Sequence, residues 1–438
     1  MHSRHAMRSL ISGVLLTIAL ISPAFAEGSF DIPAGAHFNQ QKLQRIGEFL
    51  RGEIADGKIP GAIVLIQQHG KPVYHEFFGV RDVATGLPMT DDTIFRLYSM
   101  SKPITSVAAM MLIDEGRLKL DDPVAKYIPS FGKVRVGVEK KNENGEPALE
   151  LVPVNRPITI LDLMRHTSGI VYGFYGDGMV RHLYEKAKIY DGDFDNAEFA
   201  ERIARLPLAV QPGTLWDYGH STDILGRVME VVSGKSLLHF EQERLFGPLG
   251  MTDTSFWVTD DRASRLAALY GLGPGRAMVR MGAPWDNARI KPRMLSGGGG
   301  LVSTAADYHR FLQLLLDRPD SPAGELDGVR LLGPRTVRYM GRNHLPGGLD
   351  IATFGRALYA ESPMHGSGFG LGFAVVTDPA AVKVDCSPGE LSWGGAASTA
   401  FWIDQAEGLT VSFFTQLIPS NALPLRPQLR QLVYQSFR

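Results

Sequence analysis

Strand-forming stretches lie near the two ends of this chain and are scarce between Leu120 and about Arg289, which limits the folds open to it more than any other feature. Near the start, Ala62-Ile63-Val64-Leu65-Ile66 is a continuous apolar run, His69-Gly70 offers a turn, and Val73 to Gly79 returns as a second strand. Near the end, Phe373 to Val376, Ser398 to Ile403 and Leu409 to Phe414 have the same character, the last two joined by the turn Asp404 to Gly408. An amphipathic helix carrying Leu43, Ile46, Leu50 and Ile54 precedes the first strand, and a helix from Pro427 to Phe437 closes the chain. The interval between reads as short helices with polar connections, Lys140-Lys141-Asn142-Glu143-Asn144-Gly145 being a solvated insertion. Two distant strand groups bury their faces together by joining one sheet. The expected class is therefore α+β, an antiparallel sheet flanked by helices with a mostly helical part inserted. The boundaries are 27–118 plus 290–438 for the sheet part and 119–289 for the helical part, with a cleft between them as the natural site.

With 44% hydrophobic residues among 438, the chain can bury one large core or two. A formal net charge of -1 leaves no electrostatic footprint for nucleic acid or an anionic membrane surface. Arg4 and Arg8 precede an apolar run from Leu10 to Ile21 and a small-x-small site ending at Ala26. Residues 1–26 read as a secretory signal peptide, so the mature protein is expected to be exported, to a periplasm or to the medium. No other stretch reaches the ~18 apolar residues of a membrane span. Cys386 is the only cysteine, which excludes an intramolecular disulfide and a cysteine-based zinc cluster and leaves it as a buried or partly buried apolar residue.

One segment declares a chemistry. Ser99-Met100-Ser101-Lys102 opens a helix whose apolar stripe runs through Ile104, Val107, Ala108, Met111 and Leu112 to a stop at Gly116. Positions i and i+3 share a helix face, which brings the Ser99 hydroxyl within reach of the Lys102 amine, a nucleophile beside its base. Pro103 falls in the first turn, where its missing N–H has no helical partner anyway. Placed at the helix start, Ser99 also sees free N–H groups that favour negative charge on an attacked carbonyl. Ser-x-x-Lys also arises by chance and Ser99 alone could be a helix cap, so acyl transfer needs a proton relay and an oxyanion pocket from elsewhere. Tyr218-Gly219-His220, ahead of the stripe Ile224, Leu225, Val228, Met229 and Val232, supplies a phenol whose pKa a nearby Lys102 charge would lower. Trp393-Gly394-Gly395-Ala396, opening the strand that runs to Ile403, supplies glycines that let a backbone N–H approach a ligand closely.

These three elements, in this order, resemble the serine β-lactamase and penicillin-binding-protein superfamily, whose motifs are Ser-x-x-Lys, Tyr-x-Asn or Ser-x-Asn, and Lys-Thr-Gly. The chain is most similar to the class C β-lactamase-like carboxylesterases, or family VIII esterases. The likeness extends to Pro60-Gly61-Ala62, Phe95 to Pro103, Leu163 to Gly169, Gly247 to Met251, Gly297 to Thr304 and Gly368 to Phe373. It implies a β-lactamase/transpeptidase-like fold, Ser99 as acylated nucleophile, Lys102 as base and Tyr218 as the partner that protonates the leaving group. The oxyanion hole would be the N–H groups of Ser99 and Ala396, and no metal or organic cofactor is implied. His166 and the Gly297 to Gly300 run match family positions and read as scaffold.

Two departures choose among members. His220 stands where β-lactamases carry an asparagine, and Trp393-Gly394-Gly395 replaces Lys-Thr-Gly; all four are expected to contact substrate. Without the lysine, a substrate carboxylate gains no charge-assisted bond of roughly 1.5 to 3 kcal/mol, whereas a neutral ester needs none. The expected activity is hydrolysis of small-molecule carboxylic esters, and the resemblance implies a preference for short or unhindered acyl groups. Rival readings are a β-lactamase or D-alanyl-D-alanine carboxypeptidase at the same serine, an acyltransferase, and a non-catalytic module that binds cell-wall fragments. No Gly-x-Ser-x-Gly occurs, which argues against an α/β-hydrolase.

Overall fold

The computed structural model describes residues 32–282, 287–356 and 364–438; the expected signal peptide lies outside them. Strand β1 (Gly61–Gln68) and β2 (Lys71–Asp82) form a hairpin, with β3 (Leu87–Pro88) on its outer edge. The C-terminal strands are β4 (Ser367–Phe369), β5 (Ala374–Val376), β6 (Leu391–Gly394), β7 (Ala400–Asp404) and β8 (Leu409–Phe414). Together they make an antiparallel eight-stranded sheet in the order β4-β5-β6-β7-β8-β1-β2-β3. Its seam is the pairing of β8 with β1, Ile63 opposite Phe414 and Leu65 opposite Ser412. The β1–β2 turn places both His69 (φ 50°) and Gly70 (φ 76°) in the left-handed region, the backbone that a tight hairpin turn demands.

The principal helices are α1 (Gln40–Ala55), α2 (Ser101–Asp114), α3 (Ser221–Ser233), α4 (Ala305–Leu315) and α5 (Leu425–Gln435). Helices α1 and α5 cover one face of the sheet: Leu43, Ile46, Leu429 and Val433 pack with Val64, Ile66, Val411 and Phe413. On the other face Ile63 and Phe414 join Ile104, Val107, Phe311 and Leu312 of α2 and α4. With both faces covered, β1 is a continuous apolar run and not an alternating one. Helix α2 is buried from Ser101 through Leu112, and its far side packs against α3, so one apolar cluster runs from the sheet into the helical region. Asn39 caps α1 by accepting the Lys42 N–H at 3.1 Å, and α3 stops at Gly234 (φ 73°).

Three local expectations need correction. The charged stretch from Lys140 is the end of a β-hairpin, Arg135–Lys141 paired with Pro147–Pro153. Most of its side chains are exposed or half-buried, and the charged run at its tip masks the alternation of Val134, Val136 and Val138 that leads into it. Short strands also occur at Tyr270–Leu272 and Met278–Arg280. Trp393 and Gly394 end β6 instead of opening the next strand; a turn through Ser398 (φ 68°), closed by Gly395 N–H to Thr399 O at 2.9 Å, leads into β7.

Candidate active site

Tyr98 holds a left-handed φ of 46° in the 3-10 turn Tyr98–Met100, and this sharp bend delivers Ser99 immediately ahead of α2. Such a conformation in a bulky residue is strained and persists only where packing enforces it. One turn on, Lys102 is completely buried, and its Nζ lies 3.2 Å from Ser99 Oγ, 3.2 Å from Tyr172 Oη and 2.6 Å from the Gly298 carbonyl oxygen. Burial lowers its pKa to about 7, against the opposing pull of Asp223. At neutral pH a large share of this lysine is therefore the free amine, which can accept a proton.

The segment from Trp216 to His220 brings Tyr218 to the same place, its ring 4.6 Å from Lys102 Nζ. Gly219 allows this: a Cβ there would lie 2.2 Å from the Ile170 carbonyl oxygen. Tyr218 hydrogen-bonds Ser99, and the Trp393 indole N–H donates to the Tyr218 hydroxyl at 3.2 Å. The expectation that Lys102 lowers this phenol is reversed. Burial drives it well above its ordinary value, with the hydrogen bonds to Ser99 and Trp393 pulling the other way, so Tyr218 stays protonated.

Ser99, Tyr218, Trp393, Gly394, Gly395 and Ala396 share one cleft of about 200 Å³. His220 does not join them. It is 1% exposed, its ring packs against Tyr172 at 4.4 Å, and Nδ1 meets Asp223 Oδ2 at 3.0 Å, so it is spent on holding a carboxylate and not on a substrate. His166, at a left-handed turn (φ 57°), packs on Tyr218 at 4.7 Å; both its ring nitrogens are buried without hydrogen-bond partners, and burial keeps it neutral. The glycine run is more than scaffold, since Gly298 supplies the nearest acceptor to Lys102.

Sequence reasoning also missed Tyr172 and Arg426. Tyr172 follows the matched Leu163 to Gly169 stretch by three residues, which was the one available signal. Arg426, on α5, lines the cleft beside Gly394 and donates through Nη2 to the carbonyls of Gly395 and Thr399, so the region is not without a cation. Cys386 is half-buried, its thiol raised by burial to about 11.

The family model described as Beta-lactamase matches residues 43–434. The chain belongs to the beta-lactamase family. Among its relatives, Esterase EstB of Burkholderia gladioli is 32% identical over 87% of this chain and 92% of its own length. Lovastatin esterase of Penicillium rubens is 31% identical over 88% and 94%. The solved structure of EstCE1, "a hydrolase with promiscuous acyltransferase activity", superposes with a TM-score of 0.73 at 26% identity, over 90% of this chain and 99% of that one. The fold is β-lactamase/transpeptidase-like and the chain is a hydrolase of the serine-hydrolase branch in which these esterases fall.

Proposed function

We propose that this protein hydrolyses carboxylic esters through an acyl-enzyme on Ser99. The observation that carries the reading is the fully buried Lys102 amine 3.2 Å from Ser99 Oγ, with its pKa brought to about 7. In the first half-reaction the Ser99 oxygen attacks the ester carbonyl as Lys102 takes the hydroxyl proton. The N–H groups of Ser99 and Ala396 face the oxyanion, an effect worth ~10²-fold to 10³-fold per donor. As the C–O bond breaks, the departing alkoxide takes the Tyr218 proton, the Trp393 N–H supports the phenolate, and the Lys102 ammonium restores the proton. Water then replaces the alcohol, and the same groups run the steps in reverse to release the acid.

Trp393 and the small cleft favour compact, neutral acyl esters, and the esterase relatives point the same way. Acyl transfer to an alcohol is the companion reading, favoured by the likeness to EstCE1; it would show as an ester product when an acceptor alcohol is added. Export by removal of residues 1–26 is part of the proposal, and a mature protein beginning at Glu27 is the expected result of N-terminal sequencing.

The deciding experiment compares p-nitrophenyl acetate with nitrocefin on one preparation and follows Ser99 by intact mass after an organophosphonate. Ester turnover with one phosphonate adduct, lost in Ser99→Ala, is expected. A nitrocefin rate above the ester rate would favour a β-lactamase, and no adduct at all a binding module.

A further inference from the structure

The shortest bond that fixes the Lys102 amine leads away from the reacting atoms. Nζ donates to the Gly298 carbonyl at 2.6 Å, closer than to either hydroxyl at 3.2 Å. Gly298 is held in turn: its N–H donates to Asp223 Oδ1 at 3.0 Å. That oxygen also accepts the Ser296 hydroxyl at 2.5 Å, while Oδ2 meets His220 Nδ1 at 3.0 Å. Asp223 is 4% exposed and lies in the first turn of α3, the helix that packs on α2. A Cβ on Gly298 would stand 3.0 Å from both carboxylate oxygens, so any side chain there would crowd the carboxylate.

A buried carboxylate with donors on both oxygens is a rigid fixture, because its hydrogen bonds strengthen one another in a low dielectric. Burial would raise the Asp223 carboxyl, but His220, Ser296 and Lys102 together hold it below its ordinary value, so it is ionised. The other titratable groups around the amine are Tyr172 and Tyr218, which burial keeps protonated, and His166, which burial keeps neutral. Asp223 is thus the charged partner acting on Lys102.

We propose that Asp223 is a positioning residue of this site: it clamps Gly298, so that the Gly298 carbonyl holds the Lys102 amine against Ser99, and it faces that amine with a fixed negative charge. The proposal rests on the Ser99–Lys102 reading above and adds what holds that amine in place and opposes the lowering of its pKa by burial. His220, expected at the substrate, belongs to this support instead.

The test is the pH dependence of Ser99 phosphonylation by an organophosphonate, read by intact mass, which needs an activated serine but no ester turnover. Asp223→Asn keeps the shape and the acceptor for Gly298 but removes the charge. Its acid limb is expected to move about one unit to lower pH, because an opposite charge no longer favours the ammonium. Asp223→Glu keeps the charge and displaces the oxygens; its limb should stay within a few tenths of a unit while its limiting rate falls roughly tenfold. A folded Asn variant with an unmoved limb overturns the proposal, since loss of a merely structural residue lowers the rate without shifting the limb. Should the Asn variant not fold, a Glu variant labelling at the parent rate overturns it equally. A parent chain that forms no adduct, whatever the ester assay shows, overturns the Ser99–Lys102 reading beneath it.

Discussion

In the proposed reaction Lys102 and Tyr218 divide the base and acid roles because one dry environment pushes their pKa values in opposite senses. Burial disfavours ammonium and phenolate alike, so the lysine falls to about 7 while the phenol rises. The base must be neutral to accept the Ser99 proton. Hence kcat/KM for an ester should fall about tenfold per pH unit below about 7, and Tyr218 should impose no alkaline limb near neutrality. Lys102→Met should reduce kcat/KM by about 10²-fold to 10⁴-fold. Trp393 separates two roles within one side chain: Trp393→Phe keeps an aromatic wall but removes the N–H that meets the Tyr218 oxygen at 3.2 Å. A kcat reduced roughly tenfold with little change in KM would mark the hydrogen bond as the function; an unchanged kcat would leave only the wall. Ser99, Lys102 and Tyr218 could be read from the chain because their types and order are distinctive. Tyr172, Gly298, Asp223 and Arg426 could not, since each becomes meaningful only through a partner distant in sequence, 31 positions away for Arg426 and 70 or more for the others.

The turn from Trp216 to His220 shows what a short element contributes. Tyr218 is reached through a backbone crossing so close that a Cβ on Gly219 would fall 2.2 Å from the Ile170 oxygen and 2.5 Å from Val171 Cα. Both neighbours are main chain and cannot swing aside. Gly219→Ala should therefore displace Tyr218 and destabilise the fold by about 1 to 3 kcal/mol, observable as a lowered melting temperature and a kcat loss larger than any KM change. Element identity followed periodicity where a face is buried, as in α2 and α3, and failed where charged residues dominate a mostly exposed segment. Leading into the Arg135–Lys141 and Pro147–Pro153 hairpin, Val134, Val136 and Val138 do alternate with other residues, but the charged run from Lys140 to Gly145 at its tip reads as a loop and masks that signal. Trp393-Gly394 ends β6 and does not open β7, a difference the sequence hides because β6 spans only Leu391–Gly394, too short for alternation to register.

At the scale of the molecule, the continuous core through α2 ties the helical region to the sheet, and Glu241 gives a way to measure that tie. It ends the short helix Leu237–Glu241, is fully buried, and lies 3.3 Å from Thr105 Oγ1 of α2, whose hydroxyl also reaches the Gly297 carbonyl at 2.9 Å. Burial raises its carboxyl to about 8, against the lowering effect of Thr105. In the unfolded chain it ionises near 4.5, so between these values the folded state binds the extra proton and stability falls as pH rises, by about 1.4 kcal/mol per unit. Glu241→Gln keeps the oxygen that faces Thr105 and does not titrate. The variant should melt well above the parent at pH 8, with the gap closing toward pH 5. Because one core spans both regions, near-ultraviolet and far-ultraviolet signals should shift together as a single transition. A constant gap at both pH values would mean that Glu241 is ionised in the fold, and two separate transitions would mean that the two regions unfold independently.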